Sequence, residues 1–165
     1  MKPFPKFSQK KLISYEDIAS KSEALKKDGK RIATINGSFD LMHAGHLHIL
    51  YEGSLQADVL WVLLNSDSSI QQYKSPDRPI IDLYHRLVMM SCVEFVTLVS
   101  WFDEVDPKKI LAKIQPHVHI NGQEYGQDCL EAETVRQGGG KIHIVDLVPG
   151  LSTSQIINKI SGKCD

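Results

Sequence analysis

Residues 59–64 are apolar without interruption, in the order Val-Leu-Trp-Val-Leu-Leu. A strand that is covered on both faces, as strands of a parallel sheet are, needs no polar alternation. Residues 32–35 form a second short segment of this kind, and between the two segments residues 45–57 carry apolar side chains at helical spacing. A strand, a helix and a strand in this order predict a βαβ unit.

The alternation of strands and helices continues to the end of the chain. Helices are expected from Asp82 to about Cys92, from Asp106 to Pro116, over 130–137 and from Ser152, and strands over 95–99, 117–120 and 142–148. This order predicts an α/β fold, a single Rossmann-like doubly wound domain whose five-stranded parallel sheet carries helices on both faces. Ligands of such sheets bind beyond the carboxyl ends of the strands, at the switch point of the topology.

One domain is expected from a length of 165 residues, without a repeat or a linker. Residues 1–13, which have prolines and lysines but no apolar periodicity, are predicted to be an irregular N-terminal arm, and residues 14–165 to be the domain. Ser14 is expected to begin the first helix of the domain and Gly29 to end it. Residues 65–81 are predicted to be the longest polar loop.

The charge balance argues against two classes of partner. Nineteen basic and twenty acidic residues give a net charge of -1, so no overall field attracts nucleic acid or an anionic membrane. No apolar segment follows the N-terminal lysines as in a secretory signal, and no run reaches the roughly 20 apolar residues of a membrane span. Cys92, Cys129 and Cys164 lie far apart, without zinc or redox spacing. A cytoplasmic protein with reduced thiols is expected.

The segment N-G-S-F-D-L-M-H-A-G-H, residues 36–46, follows the first strand and leads directly into a helix. A helix N-terminus offers unpaired N–H groups and the positive end of its dipole to an anion, and Gly45 allows close approach. His43 and His46 are three positions apart, so both rings can face one phosphate chain. Nucleotidyl transfer needs such charge stabilisation more than a protein nucleophile.

Two other interpretations of these histidines explain less of the sequence. A solvated turn would account for either ring alone, but the pair, the glycine and the location favour a phosphate site. A zinc site that includes His48 lacks a nearby cysteine or carboxylate and the four-residue spacing of zinc-binding helices, so no protein-held metal is expected.

A second motif, G-L-S-T-S at residues 150–154, opens the final helix. Ser152 can cap this helix with Gln155 as its partner, and Thr153 and Ser154 add hydroxyl and N–H groups that suit a phosphate. A plain helix cap would explain Ser152 alone.

The two motifs together resemble the H-x-G-H nucleotidylyltransferase superfamily, in its cytidylyltransferase-like branch with a G-x-S-T-T signature. Residues 11–160 are similar to the adenylyltransferase domain of bacterial ADP-heptose synthases. The resemblance implies transfer of AMP from ATP, with Mg²⁺, to a heptose 1-phosphate, and release of pyrophosphate. A homodimer is expected as well.

The resemblance also implies roles for particular residues. Catalysis is assigned to His43, His46 and Lys74. Nucleotide binding is assigned to Asn36, Gly37, Ser38, Phe39, Gly45, Asn121, Gly122, Gly150, Ser152, Thr153 and Ser154. Binding of the acceptor substrate is assigned to Asp40, Asn65, Asp67, Arg78 and Arg86.

One departure from the family pattern leaves the substrates open. The sequence N-G-Q-E-Y stands at residues 121–125, where the heptose enzymes have a K-G-G-D-Y-like turn. A cytidylyltransferase acting on CTP and glycerol 3-phosphate or a related alcohol phosphate is therefore an alternative, and a noncatalytic nucleotide-binding module is another. Ser38, where many relatives carry cysteine, is expected to be harmless.

Three further features are given less weight. The three glycines at 138–140 lie between a helix and the following strand, the reverse of the order in a phosphate loop, so a plain turn is predicted. His117 and His119 share one strand face without a third ligand and are interpreted as structural. Asp103, after the third strand, is either a substrate contact or part of an exposed turn.

Overall fold

A computed structural model describes residues 3–146, 148–150 and 152–162. Its strands are β1 (Ile32–Gly37), β2 (Val59–Asn65), β3 (Leu98–Phe102), β4 (Val118–Gly122) and β5 (Lys141–Val145). Its helices are α1 (Lys6–Gln9), α2 (Ile18–Lys27), α3 (Ala44–Ser54), α4 (Asp67–Tyr73), α5 (Leu83–Ser91), α6 (Lys108–Ile114), α7 (Ala132–Gln137) and α8 (Thr153–Ile160). The strands pair in parallel in the order β3-β2-β1-β4-β5, which confirms the predicted doubly wound sheet.

Both faces of the sheet are covered by apolar cores. On β2, Leu60 and Val62 belong to a core shared with α3 and α5, whereas Val59 and Trp61 belong to a core shared with α2, α6 and α7. Every residue of β2 is buried, so burial on both faces accounts for its uninterrupted apolar sequence. Because β1 lies between β2 and β4, the switch point of the topology falls between β1 and β4.

The segment predicted as a long polar loop, residues 65–81, contains the helix α4. The Ser66 hydroxyl accepts a hydrogen bond from the Ser69 N–H at 3.2 Å and caps this helix. The helix buries Ile70 completely, but the sequence shows no second apolar position that would mark helical periodicity. The loop prediction was therefore wrong, because a single buried residue gives too weak a pattern.

The third strand lies further along the chain than the predicted residues 95–99. β3 pairs with β2 from Leu98 to Phe102 and includes Ser100, which is completely buried. The Ser100 hydroxyl donates to the Ile13 carbonyl at 2.8 Å and accepts from the Trp61 indole N–H at 3.0 Å. Because its hydrogen bonds are satisfied inside the fold, this polar residue does not end the strand.

The N-terminal arm is more regular than predicted. It contains the single turn α1, and Leu12 forms a parallel bridge with Val99 at the edge of β3. The N–H of Ile13 donates to the Val99 carbonyl at 2.9 Å, so the arm covers backbone groups that a sheet edge would otherwise leave open.

Several element boundaries differ from the predicted ones. α2 begins at Ile18 instead of near Ser14, because the Ser14 hydroxyl donates to the Asp17 carboxylate and caps no N–H. α3 ends at Ser54 and β5 at Val145, each before the predicted end, whereas β4 continues to Gly122. Such shifts are common at frayed element ends.

Two of the three cysteines lie in the described part. Cys92 is exposed, Cys129 is half-buried, and both are free thiols, while Cys164 lies outside the described residues. None of the helices among residues 3–146, 148–150 and 152–162 has the length and apolar character needed to cross a membrane.

Candidate active site

A cavity of about 280 Å³ opens at the carboxyl ends of β1 and β4, at the switch point of the sheet. The N-termini of α3 and α8 face it from the other side. Twelve residues named from the sequence line it together: Asn36, Gly37, Ser38, Phe39, His43, Gly45, His46, Lys74, Asn121, Gly122, Ser152 and Thr153. The fold thus brings two motifs that lie more than a hundred residues apart to one cavity.

The turn after β1 is held in an uncommon backbone conformation. Phe39 has a φ of 45°, in the left-handed region that bulky residues seldom adopt, and its side chain is buried. At Gly37 an added Cβ would lie 3.2 Å from the Phe39 ring, which leaves little room for a side chain. The Phe39 ring packs against His46 at a centroid distance of 5.5 Å and so supports the turn after β1.

The two histidines are oriented by backbone hydrogen bonds. His43 caps α3, and its Nδ1 accepts from the Gly45 N–H at 3.1 Å. His46 Nδ1 accepts from the His43 N–H at 3.3 Å, and the two ring centroids are 4.0 Å apart. A nitrogen that accepts a hydrogen bond carries no proton, so the proton of each neutral ring resides on Nε2. Each ring therefore presents one N–H donor.

Burial keeps both rings in the neutral form. Burial lowers the pKa of His43, and burial together with the neighbouring His43 and Lys74 lowers the pKa of His46 to about 4. Both imidazoles are neutral Nε2–H donors near pH 7.

The lowered pKa of His46 makes stability depend on pH. As pH falls from about 6.5 to about 4, the unfolded chain takes up a proton at this residue before the folded chain does, so the free energy of unfolding decreases. Between pH 7 and pH 4, we expect the free energy of unfolding to decrease by about 1–2 kcal/mol less in His46→Gln than in the wild-type protein. Urea unfolding at pH 7, 5 and 4 measures it. His48→Gln, on the same helix, is the control, and an unchanged pH dependence in His46→Gln would contradict the expectation.

The start of α8 is hydrogen-bonded to the turn after β1. The Ser152 hydroxyl accepts from the Gln155 N–H at 3.1 Å and caps the helix, as predicted. The Thr153 hydroxyl donates to the Leu41 carbonyl at 3.4 Å, in the turn that precedes His43. Gly150 and Ser154 are exposed and are not part of the cavity wall.

Lys74 supplies a positive charge to the cavity. Its Nζ donates to the Ser38 hydroxyl at 3.0 Å, and burial together with the nearby Arg78 lowers its pKa. Among the cavity-lining residues that the structure describes, it is the single lysine or arginine.

Asp40 and Arg78 hold the neighbouring loop instead of lining the cavity. The Asp40 carboxylate is buried and accepts from the Arg78 Nε at 2.7 Å and from the N–H groups of Ile80 and Ile81 at 3.0 and 2.8 Å. Burial alone would raise the Asp40 pKa, but these donors outweigh it and the pKa is lowered. The pair fixes the loop that follows Lys74.

Arg86, Asn65 and Asp67 lie behind the cavity. The Arg86 guanidinium is almost fully buried and donates to the carbonyls of Ile81, Ser38 and Asn65 and to the Asp67 carboxylate, at 2.6 to 2.9 Å. Asp67 also accepts from the Leu83 N–H at 3.2 Å. These side chains join the turn after β1, the end of β2 and the start of α5.

Several cavity residues were not named from their sequence positions. Glu124 and Tyr125 follow β4, Asp146 and Val148 follow β5, and Ile120 lies near the end of β4. The rule that ligands bind beyond the carboxyl ends of strands would have pointed to the residues after β4 and β5.

The glycines at 138–140 and the histidines at 117 and 119 lie at structural positions. Gly139 has a φ of 81° in the turn between α7 and β5, and an added Cβ at Gly140 would collide with the Pro116 carbonyl. His117 Nδ1 accepts from the Ile32 N–H at 3.0 Å, and His119 is completely buried. Within the described ranges, no three His, Cys, Asp or Glu side chains form a group suited to a metal ion.

The switch-point cavity, the two helix N-termini and the paired imidazoles are the features of a nucleotidyltransferase enzyme. Comparison with known proteins agrees with this class. The chain belongs to the cytidylyltransferase-like family, whose profile matches residues 34–162.

Curated relatives support this assignment. The bifunctional protein HldE of Azorhizobium caulinodans is 38% identical over 149 residues, which are 90% of this chain and 31% of the relative. HldE of Geotalea uraniireducens is 36% identical over 157 residues, 93% of this chain and 31% of the relative. The chain thus spans about a third of the length of these relatives.

Solved structures show the same architecture. A lipopolysaccharide core biosynthesis protein from Thermoplasma volcanium superposes with a TM-score of 0.59 at 28% identity, covering 73% of this chain and 98% of that one. Pantoate-beta-alanine ligase from Francisella tularensis, complexed with beta-gamma ATP and beta-alanine, has a TM-score of 0.59 at 14% identity and covers 92% and 77%. The second similarity concerns the fold alone.

Proposed function

We propose that this enzyme transfers AMP from ATP to a sugar 1-phosphate of the heptose class and releases pyrophosphate, as a step toward a lipopolysaccharide precursor. The observation that carries the proposal is the convergence of His43, His46, Lys74 and two helix N-termini on one cavity. The similarity to HldE proteins and to a lipopolysaccharide core biosynthesis protein supports the choice of acceptor. A cytoplasmic location and a dimeric state stay predictions.

The proposed reaction is one in-line displacement. An oxygen of the acceptor phosphate forms a bond to the α-phosphorus of ATP, and the bond from that phosphorus to the bridging oxygen breaks, so pyrophosphate leaves with the electron pair. The Nε2–H groups of His43 and His46 would donate to the phosphate oxygens as negative charge builds on them. Lys74 and the N–H groups at the start of α8 would hold the departing phosphates.

The cavity wall fits a magnesium ion that arrives with the triphosphate. Mg²⁺ in such sites keeps several waters and takes one or two carboxylates, and Asp146 is an exposed carboxylate in the cavity wall. When bound, the ion would neutralise charge on the phosphate oxygens. The Nε2–H groups of His43 and His46 would orient the α-phosphate whether or not the ion is bound, because these donors are part of the protein.

A screen of substrates tests the proposed function. Pyrophosphate release is measured with ATP and with CTP, each offered with a set of sugar 1-phosphates and with glycerol 3-phosphate. We expect release with ATP and a heptose 1-phosphate. Release with CTP and glycerol 3-phosphate would favour the cytidylyltransferase alternative, and tight nucleotide binding without release from any pair would favour a noncatalytic module.

Lys74 is expected to act mainly through binding of the triphosphate. Lys74→Met should raise KM for the triphosphate about tenfold, because a charge-assisted hydrogen bond to phosphate is lost. Steady-state kinetics at varied triphosphate concentration measure it. Lys27→Met, which removes an exposed lysine that pairs with Glu23, is the control and should leave KM unchanged. An unchanged KM in Lys74→Met would contradict the assigned role.

A further inference from the structure

Glu131 is a buried carboxylate that no sequence motif marks. It lies just before α7 and its Oε1 accepts from the Asn121 amide N–H at 2.9 Å. The same oxygen lies 3.4 Å from Nε2 of His119, whose Nδ1 is 2.8 Å from the Thr34 hydroxyl. The group joins β1, β4 and the start of α7 directly beneath the cavity.

The contact with Glu131 determines which way the Asn121 amide points. Burial alone would raise the Glu131 pKa, but the neighbouring His119 ring and the Asn121 amide N–H outweigh it and hold the pKa at about 2. An ionised carboxylate can only accept, so it must face the NH₂ group of Asn121. The carbonyl oxygen of the same planar amide then points away from Glu131, and Asn121 is part of the cavity wall.

The side of the cavity near β1 carries a positive charge, whereas the side near β4 does not. Lys74, bonded to Ser38 after β1, lies on the side that suits phosphates. The side formed by the end of β4 carries Ile120, and the Glu124 carboxylate that follows this strand would repel phosphate. The uncharged nucleoside therefore fits the side that Asn121 lines.

We propose that Glu131 is a positioning residue that holds the Asn121 carbonyl oxygen toward the nucleoside, and that Asn121 selects the nucleotide by accepting a hydrogen bond from it. This inference rests on the proposed function. The donor is either the exocyclic amino group of the base or a ribose hydroxyl, and both offer the same chemistry to a carbonyl oxygen.

Nucleotide binding measured by titration calorimetry tests the proposal without requiring turnover. ATP is compared with inosine triphosphate, which lacks the amino group, and with 2′-deoxy-ATP and 3′-deoxy-ATP, which each lack one hydroxyl. The wild-type protein should bind ATP about tenfold or more tightly than at least one of these analogues, because a buried acceptor is otherwise left unpaired. The analogue that loses affinity identifies the donor.

Variants at residues 131 and 121 separate positioning from structural support. In Glu131→Met, the affinities for ATP and for that analogue should differ by about twofold or less. Glu131→Gln keeps an acceptor oxygen and should therefore retain part of the preference for ATP. Asn121→Ala should lose the same ratio, and adding Glu131→Met to it should change the ratio no further. Glu133→Met is the control, since Glu133 is exposed and bonds only Gln137.

Two results would overturn the inference: a wild-type ratio retained in Glu131→Met, or no preference among the four nucleotides in the wild-type protein. If Glu131→Met fails to fold, Glu131→Gln and Asn121→Ala still decide the matter, with thermal melts as a check. Binding with the expected ratios but without pyrophosphate release would contradict the proposed function alone. Absence of binding to any triphosphate would contradict both.

Discussion

Replacing His46 with alanine is expected to lower kcat for pyrophosphate release about 10²-fold or more, because a donor to the transition state is lost. The Nε2–H of His46 is oriented by the bond that its Nδ1 accepts from the His43 N–H. A water molecule in the space left by the imidazole would not be held in the orientation of the Nε2–H donor. Steady-state kinetics with saturating triphosphate and acceptor measure the effect.

The fold is expected to survive this substitution. Removal of the His46 ring takes away one half of the α3 capping box, but the other half stays, because His43 Nδ1 still accepts from the Gly45 N–H. His48→Ala, on the same helix but outside the cavity wall, is the matched control and should keep kcat within about twofold. A kcat for His46→Ala close to the wild-type value, in a folded protein, would remove His46 from the proposed mechanism.

Replacing Arg86 with methionine is expected to lower the free energy of unfolding by about 3–5 kcal/mol. Methionine fills much of the volume, but three carbonyl groups and the Asp67 carboxylate would lose their buried donors. The turn after β1 would also lose the bond from Arg86 to the Ser38 carbonyl. Urea unfolding followed by circular dichroism measures the change.

Arg136→Met is the control for this prediction. Arg136 is an exposed arginine that bonds Asp128 and the Gln127 carbonyl, and its loss should cost about 1 kcal/mol or less. The resemblance to known enzymes assigns Arg86 to the acceptor substrate. A variant that unfolds like the wild-type protein but has a raised KM for the acceptor would favour that role over the one inferred from its burial.

Much of the candidate site follows from local sequence. The apolar segment of β2 indicates a buried parallel strand, and the histidines beside Gly45 indicate a phosphate site at a helix N-terminus. The caps at Asp82 and Ser152 are in place, with hydrogen bonds from His85 and Gln155. Each of these features depends on residues close together in the chain, so a pattern of a few positions is enough to reveal it.

The wrong predictions of secondary structure concern segments that contact distant parts of the chain. Ser100 lies within β3 because Ile13 and Trp61 satisfy the hydrogen bonds of its hydroxyl group. Neither partner is near Ser100 in sequence. Residues 65–81 contain a helix because Ile70 is buried by the surrounding core. A polar residue or a lone apolar one is ambiguous until its neighbours in space are known.

Local sequence is enough to identify the class of fold, the strand and helix that begin the site, and the two motifs that we propose bind phosphate. The three-dimensional arrangement was needed to show that Arg86 and Asp40 support the cavity from behind and that Glu131 contacts Asn121. Helix caps and buried strands depend on residues that are close together in the chain, so they leave local signals in the sequence. A buried charge is tolerated only where the fold brings its partners together, and those partners lie far away in the chain.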